Sequence, residues 1–454
     1  MIKSINPATE EDIQVYTEMT ELEVNSIISG CYTAYLNWQK TDFHARAIFM
    51  DNAAKVLRSK KDKWAEIITL EMGKPIIQSK AEVEKCAWVC DYYAENAGKF
   101  LADNIISTDA AFSYVTYKSL GVVLAIMPWN FPFWQVFRFA APNLMAGNAC
   151  VLKHSSNVSG CALAIEEIFR EAGFPENIFR TIIVSSNNIK SVIENKNISA
   201  VTITGSVPAG RAVASMAGAV LKKTVLELGG SDPYLILEDA DLEKASEICV
   251  NARLMNGGQS CIAAKRFIVV ETIFNDFKKL FIQKMKLKKM GDPFNPENDL
   301  GPQAKSDLRD ELHQQVLMSI KMGAKLLIGG EVPKLKGAFY PPTVLSNVLP
   351  GMPAFDEELF GPVAAIIKVQ DENEGIKVAN NTSFGLGAAV FTANVKRGER
   401  IAKERLNAGC CFVNESVKSD PRLPFGGINE SGYGRELSSI GIKEFVNIKT
   451  VYIK

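Results

Sequence analysis

The sequence is poor in the residues that usually build metal sites and disulfide frameworks. Among its 454 residues only three are histidine, His44, His154 and His313, and they are scattered along the chain. The nine cysteines are an odd number without framework spacing, which suits a reducing compartment better than a disulfide scaffold. No zinc-ligand spacing occurs, so we expect no metal site.

Long apolar runs and an excess of one charge are also missing. No run reaches the length of a membrane span, and the first twelve residues lack the apolar core of a secretory signal. The 51 Lys and Arg residues balance the 51 Asp and Glu residues, which gives no reason to expect nucleic acid or an anionic membrane as a partner. We expect a cytoplasmic globular protein, long enough for roughly two or three domains.

Strand-like and helix-like patterns alternate through the first half of the chain. Strands are predicted over residues 121–127, 149–153, 181–184, 200–204 and 224–228, and helices over 132–145, 159–172, 189–195 and 208–219. Helical spacing also covers 24–57, 62–71, 81–97, 241–253, 273–289 and 306–322. This order predicts an α/β fold with a parallel sheet covered on both faces, and a second α/β domain that begins near Gly229.

Two further segments alternate polar and apolar residues, as strands exposed on one face do. They span residues 112–118 and 445–453, far apart in sequence. Because bare strand edges rarely stay unpaired, we expect these strands to pair with each other or with another subunit.

One cysteine, Cys261, follows a glycine-containing turn and precedes the strand-like run 266–270. A thiol placed there can reach a cleft and act as a nucleophile, which requires a lowered pKa or a nearby base. The alternative is an ordinary small buried residue. Four other cysteines, in a helix-like and a strand-like segment, are interpreted as packing residues: Cys86, Cys90, Cys410 and Cys411.

The predicted strands end in residues that a reaction or a cofactor can use. The Asn130 amide can stabilise an oxyanion or cap the following helix. Lys153 suits a ribose hydroxyl or phosphate, or is simply solvated. The turn at Gly205 opens a helix whose free N–H groups favour phosphate, although it lacks the six-residue dinucleotide fingerprint and the P-loop lysine. Glu227 follows an apolar run, which suits a general base or a buried ion pair.

Six motifs occur in the order typical of the aldehyde dehydrogenases, and the resemblance extends from Asn6 to the end of the chain. They are Pro128-Trp129-Asn130-Phe131-Pro132, Thr204-Gly205-Ser206, Glu227-Leu228-Gly229-Gly230, Gly258-Gln259-Ser260-Cys261, Glu358-Leu359-Phe360-Gly361-Pro362 and Pro424-Phe425-Gly426-Gly427. The resemblance implies an aldehyde dehydrogenase fold: a Rossmann-like cofactor domain (1–106 and 120–229), an α/β catalytic domain (230–430) and a β-strand oligomerisation arm (107–119 and 440–454).

The resemblance also implies the chemistry. Cys261 would be the nucleophile that forms a thiohemiacetal and then a thioester, Glu227 the base that activates water, and Asn130 with the Cys261 N–H the oxyanion hole. Because this glutamate is present, the coenzyme A-acylating relatives fit less well. NAD or NADP would contact eleven positions: Ile126, Pro128, Trp129, Lys153, Ser155, Ser156, Gly205, Ser206, Leu228, Glu358 and Phe360. Ser156 stands where many NAD-preferring relatives carry Glu, so NADP should be tolerated.

Segments 152–154, 261–267 and 434–438 are most similar to bacterial succinate-semialdehyde dehydrogenases. Arg138 stands where such enzymes place an arginine for the distal carboxylate, and a surface arginine is the alternative. Met255 stands where another such enzyme has a second arginine, for which Ser419 and Arg422 could compensate. The substrate-binding set is then Phe131, Arg138, Ser419 and Phe425.

The resulting expectation is a homodimer or homotetramer that oxidises a small aldehyde, succinate semialdehyde above others. A broader medium-chain or glutarate-semialdehyde dehydrogenase is the enzymatic alternative. A catalytically silent binding relative is the alternative from another class.

Overall fold

The computed structural model describes all 454 residues. The strands are β1 Ile2–Ile5, β2 Asp12–Tyr16, β3 Asn104–Ile105, β4 Phe112–Ser119, β5 Val122–Met127, β6 Ala149–His154, β7 Phe179–Thr181, β8 Ile198–Thr204, β9 Lys223–Glu227, β10 Pro233–Ile236, β11 Arg266–Val270, β12 Lys325–Ile328, β13 Thr343–Ser346, β14 Val363–Val369, β15 Gly387–Phe391, β16 Cys410–Val413, β17 Gly432–Tyr433 and β18 Val446–Ile453.

The helices are α1 Glu21–Trp38, α2 Phe43–Ser59, α3 Lys61–Met72, α4 Ile76–Phe100, α5 Trp134–Met145, α6 Ser159–Glu171, α7 Ile189–Glu194, α8 Val207–Ala219, α9 Leu242–Leu254, α10 Phe274–Lys286, α11 Ser306–Lys321, α12 Pro353–Asp356, α13 Glu372–Asn380, α14 Val395–Glu404 and α15 Ser438–Gly441. No helix combines the length and the apolar character that crossing a membrane requires.

The two main sheets confirm the predicted α/β fold. The first has six strands in the order β17-β9-β8-β5-β6-β7, all parallel except β17, and the second has seven in the order β12-β13-β14-β11-β10-β15-β16. In the first sheet Ile126 lies opposite both Lys153 and Ile203, and Thr204 lies opposite Glu227. The carboxyl ends of four neighbouring strands therefore meet at one edge, where the candidate residues were expected.

The helical pattern over residues 24–57 is divided into two helices. Thr20 begins α1 with a capping box, since its side chain and that of Glu23 each bond the other's backbone N–H. Asp42 accepts the Ala45 N–H and begins α2. The apolar period continues across the break because both helices bury one face in the same core.

The strand predicted over residues 181–184 is shifted. The edge strand β7 ends at Thr181, and the Met19 N–H donates to the Ile183 carbonyl instead of a strand neighbour. Residues 182–184 are buried all the same. Their apolar character therefore reflects burial beneath the segment before α1. An apolar run in the sequence does not distinguish such a buried segment from a strand of a sheet.

The two alternating segments from opposite parts of the chain form a separate sheet in the order β18-β4-β3. Strand β18 pairs antiparallel with β4 along its whole length, from Val446 opposite Ser119 to Ile453 opposite Phe112. The expected pairing of these segments with each other is confirmed. Strand β18 stays at the edge of the sheet, and its Ile448 and Tyr452 side chains are 60% and 50% exposed.

Candidate active site

A turn with three successive residues in the left-handed conformation precedes the candidate nucleophile, Cys261. After α9 ends, Asn256, Gly257 and Gly258 have φ values of 54°, 61° and 75°. A Cβ atom at Gly258 would collide with the backbone of Gly361, so the close approach there requires glycine. The turn places Cys261 between α9 and strand β11, and Cys261 is partly exposed.

A buried lysine that sequence reasoning overlooked stabilises this loop. The Lys265 ammonium donates to the carbonyl oxygens of Ser260, Cys261 and Ala263 at 3.1, 2.8 and 3.1 Å. It also lies 3.6 Å from a carboxylate oxygen of Glu358. The apolar residues before Lys265 and the strand-like run after Arg266 are the signal that could have identified it, because a charge in a buried segment needs partners.

Asn130 lies against the nucleophile loop. Its amide nitrogen donates to the Gln259 carbonyl at 3.1 Å, and Asn256 donates to the Asn130 carbonyl at 2.7 Å. These bonds join the end of β5 to the residues before Cys261. The Asn130 side chain thus points into the site as the oxyanion interpretation requires.

The alternative that Asn130 caps the following helix is wrong. Helix α5 begins at Trp134 and has no side-chain cap of its own. The N–H groups of Phe133 and Trp134 donate instead to the Glu82 carboxylate at 2.9 and 3.0 Å. Glu82 comes from α4 and is further paired with the buried Lys74, so the start of α5 depends on a contact that local sequence does not reveal.

The electrostatic surroundings of Cys261 disfavour the thiolate in this state. Burial raises the pKa of the Cys261 thiol to about 12, and the positive charge of Arg138 opposes this shift only in part. Formation of the nucleophile therefore needs additional stabilisation of the negative charge on sulfur.

Glu227 is only 2% exposed, and neither of its carboxylate oxygens has a hydrogen-bond partner. Burial, with repulsion from Glu436, raises the pKa of Glu227 well above its ordinary value. No cation forms an ion pair with it, so the buried ion-pair alternative is wrong. A Cβ atom added at Gly426 would lie 2.7 Å from the Glu227 carboxylate, which places that glycine directly beside the candidate base.

Arg138 is buried, so the alternative of a surface arginine is wrong. Its guanidinium forms an ion pair with Glu436 and lies 4.8 Å from the centre of the Phe425 ring. A terminal nitrogen also donates to the Thr204 hydroxyl at 3.5 Å. The charge expected to meet a substrate is thus already balanced by a carboxylate.

A cleft of about 570 Å³ opens beside Cys261. Nine of the candidate residues line it: Pro128, Trp129, Asn130, Gly205, Ser206, Leu228, Cys261, Glu358 and Phe360. The rings of Trp129 and Phe360 meet edge to face with centroids 5.6 Å apart. The structure therefore brings together the nucleophile, the amide donor and most of the expected cofactor contacts.

The cleft wall fits a dinucleotide. Helix α8 begins after Ser206, whose side chain makes no capping bond, so backbone N–H groups at this helix start stay free for a phosphate. Gly229 also lines the cleft, where a Cβ atom would lie 2.5 Å from a Glu358 carboxylate oxygen. Glu358 accepts the Gly230 N–H at 3.0 Å and stays within reach of the opening.

Several predicted residues lie outside the lining of this cleft. Lys153 makes no hydrogen bond or ion pair, and partial burial lowers its pKa. Ser155 bonds the Asn157 side chain at 2.7 Å, whereas the Ser156 side chain is exposed. Ile126 is half-buried within β5. Glu227 is also absent from the lining, although the next residue, Leu228, is part of it.

A second cavity of about 390 Å³ lies next to the segment that follows Asn130. Phe131, Trp134 and Met255 line it, together with Lys85 of α4. Ser419 is buried next to this cavity and bonds both Lys85 and Trp134. The expected substrate residues are therefore divided between this cavity, which Phe131 lines, and the buried Arg138 and Phe425 pair.

A comparison with known protein families matches residues 1–451 to the aldehyde dehydrogenase family. The chain belongs to the aldehyde dehydrogenase family. The four cysteines interpreted as packing residues stay free in this aldehyde dehydrogenase, and three of them are buried, Cys411 being the exception. Catalytic roles for Cys261, Glu227 and Asn130 remain predictions, although their placement is compatible with aldehyde oxidation.

Several proteins are similar to this chain over its whole length. A probable succinate-semialdehyde dehydrogenase [NADP(+)] of Synechocystis is 47% identical over 100% of this chain and 99% of its own. The succinate semialdehyde dehydrogenase [NAD(P)+] Sad of Escherichia coli is 45% identical over 99% and 97%. A crystal structure of succinic semialdehyde dehydrogenase from Streptococcus pyogenes with NADP+ is similar over 100% of both chains, with a TM-score of 0.98 and 38% identity.

Proposed function

We propose that this aldehyde dehydrogenase oxidises succinate semialdehyde to succinate with NADP+ or NAD+. The single observation that carries the proposal is the partly exposed Cys261 thiol, which the turn at 256–258 holds beside the Asn130 amide. The whole-chain similarity to relatives named for this substrate supports the choice among aldehydes.

In the first half of the reaction the Cys261 thiol gives up its proton to water, and the resulting thiolate adds to the aldehyde carbon. The Asn130 amide, which bonds Gln259 in this structure, would turn to the oxygen that becomes negative, and the Cys261 backbone N–H would add a second donor. When bound, NADP+ or NAD+ would supply the two-electron oxidant that takes the hydrogen of the aldehyde carbon as a hydride. Cys261 is then left as a thioester.

In the second half Glu227 takes a proton from the water that attacks the thioester, and Cys261 is released. The raised pKa of Glu227 makes its carboxylate a strong base once it has lost its proton. Glu227 is buried, which keeps it from bulk solvent.

The succinate semialdehyde assignment is tested with a substrate series. We expect the four-carbon semialdehyde to be oxidised more efficiently than glutarate semialdehyde and than an uncharged aldehyde of equal length. A broader aldehyde dehydrogenase would show no dependence on the terminal carboxylate. Absence of turnover with every aldehyde, while the cofactor still binds, would indicate a silent relative.

We expect Ser156→Glu to weaken the use of NADP by about ten-fold or more in kcat/KM, with little loss for NAD. Ser156 is exposed at the end of β6, and a carboxylate there would repel a 2′-phosphate while still accepting bonds from ribose hydroxyls. Steady-state kinetics with both cofactors measures the change, and Ser156→Gln controls for size. A wild type that strongly prefers NAD would contradict the inference.

The edge strand β18 and its exposed apolar side chains favour a homo-oligomer. We expect light scattering to give a mass that is a multiple of 49.8 kDa, and the double variant Ile448→Lys, Tyr452→Lys to shift it towards the monomer. Ile77→Lys, at a 54% exposed position on α4, is the matched control. A monomeric wild type would contradict the arm assignment.

A further inference from the structure

A lysine without a carboxylate partner lines the second cavity. The Lys85 ammonium lies 4.1 Å from the centre of the Trp134 ring and donates to the Ser419 hydroxyl at 2.9 Å. The Trp134 indole N–H donates to the same hydroxyl at 3.1 Å. Trp134 and Ser419 thus hold the Lys85 ammonium in place at the cavity.

The carboxylates nearest to Lys85 are already occupied. Glu82, one turn away on α4, is paired with Lys74 and accepts two backbone N–H groups of α5. Asp420 is bound by Arg422 at 2.7 Å. Lys85 therefore keeps a positive charge that no side chain balances, in a cavity where solvation is reduced.

Burial, with repulsion from Arg138, lowers the pKa of Lys85 to about 8. The ammonium form still predominates at neutral pH. Arg138, by contrast, has its charge balanced by Glu436 and can add only its remaining N–H groups to a ligand. Lys288, the other lysine that lines the cavity, pairs with Asp299 at 3.3 Å, so Lys85 is the lysine of this cavity that has no carboxylate partner.

The residues that line the cavity are neighbours in sequence of residues in the catalytic cleft. Phe131 directly follows Asn130, and Met255 begins the turn that leads to Cys261. Trp134 faces this cavity while the next residue, Gln135, lines the cleft beside Cys261. Neighbouring residues of the 130–135 segment thus line the cleft and the cavity in turn, and the assignment below requires an aldehyde at Cys261 to extend past Asn130 towards Lys85.

We propose that Lys85, oriented by Trp134 and Ser419, binds the distal carboxylate of the aldehyde substrate. This assignment rests on the proposed oxidation of a semialdehyde acid and names a residue that determines that specificity. A carboxylate completes the ion pair that the protein leaves open, and the Ser419 hydroxyl is at hand as a further donor. Lys85 would thus supply the positive charge that is missing at Met255, where another such enzyme has a second arginine.

Lys85→Met tests the assignment, since methionine keeps most of the apolar stem over Trp134 and removes the charge. We expect kcat/KM for succinate semialdehyde to fall by about ten- to a hundred-fold, mainly through KM, as for the loss of a charged hydrogen bond. Butanal, of equal length and uncharged, should be oxidised as before. Lys85→Arg should recover part of the lost efficiency.

Lys63→Met is the matched control. Lys63 also lies over a tryptophan, with its ammonium 4.2 Å from the Trp64 ring centre, but it pairs with Glu167 at the surface. This variant should leave both substrates unaffected. Ser419→Ala is a second test, because it removes the hydroxyl that positions Lys85 and should raise KM for the acid substrate alone.

The outcomes separate the two proposals. Equal losses on both substrates, or an unchanged preference for the acid in Lys85→Met and Ser419→Ala, would overturn the role of Lys85 and leave the proposed reaction standing. A wild type that oxidises butanal but not succinate semialdehyde would overturn the proposed function itself. Binding of succinate to the wild type, measured by calorimetry and weakened in Lys85→Met, gives a readout that does not depend on turnover.

Discussion

Replacing Cys261 with alanine is expected to abolish aldehyde oxidation, by about 10⁴-fold or more in kcat, while cofactor binding persists. No other side chain in the cleft offers a comparable nucleophile, and without the sulfur neither covalent intermediate can form. Alanine is small and removes no structural contact, since the Cys261 backbone carbonyl still accepts from Lys265. Reduced-cofactor absorbance and fluorescence titration of NADP measure the two properties.

Cys411→Ala is the control for this result. Cys261 and Cys411 are the two cysteines that are only partly buried, but Cys411 lies in β16 with its sulfur near the Leu406 and Ala408 carbonyls. We expect the control to keep wild-type turnover. Retained activity in Cys261→Ala would exclude the covalent mechanism.

Replacing Glu227 with glutamine is expected to stop the reaction after its first half. One reduced cofactor per subunit should form in a rapid burst, followed by steady-state turnover about 10²- to 10⁴-fold slower, as for the loss of a general base. Glutamine fills the same buried space, and no hydrogen bond is lost because neither Glu227 oxygen has a partner. The accumulated thioester should be visible on Cys261 as an added mass in the intact protein.

The pH dependence gives an independent readout of this variant. A raised pKa keeps Glu227 protonated, and hence inactive as a base, until the pH passes that pKa. Wild-type turnover should therefore rise with pH above the ordinary range of a carboxyl group, and the residual turnover of Glu227→Gln should lose this limb. A variant that shows no burst, or that keeps the wild-type pH profile, would assign hydrolysis to another group.

The strand ends were the part of the site that local patterning could predict. An apolar run followed by Asn130, Gly205 or Glu227 indicates a buried parallel strand with polar chemistry at its carboxyl end, and the register places these ends side by side. Cys261 was recognisable from the polar turn before β11. These signals depend on neighbours along the chain, which is why they were readable.

Alternatives that depend on distant partners stayed open until the fold was known. Whether Asn130 caps α5 was decided by Glu82, which comes from another helix and takes that role. Whether Arg138 is a surface residue was decided by Glu436. In both cases the deciding carboxylate is far away in sequence, and nothing in local periodicity identifies it.

The sequence by itself determined the α/β architecture, the alternation of strands and helices, and the positions of the candidate nucleophile, base and amide, because burial period and turn chemistry are local properties. Tertiary structure alone decided the electrostatics of the site. Lys85 and Ser419 meet although 334 residues separate them, and which charges remain unbalanced depends on such contacts. Charge pairing follows from the geometry of the folded chain, since an ion pair needs atoms within a few ångströms whatever their separation in sequence.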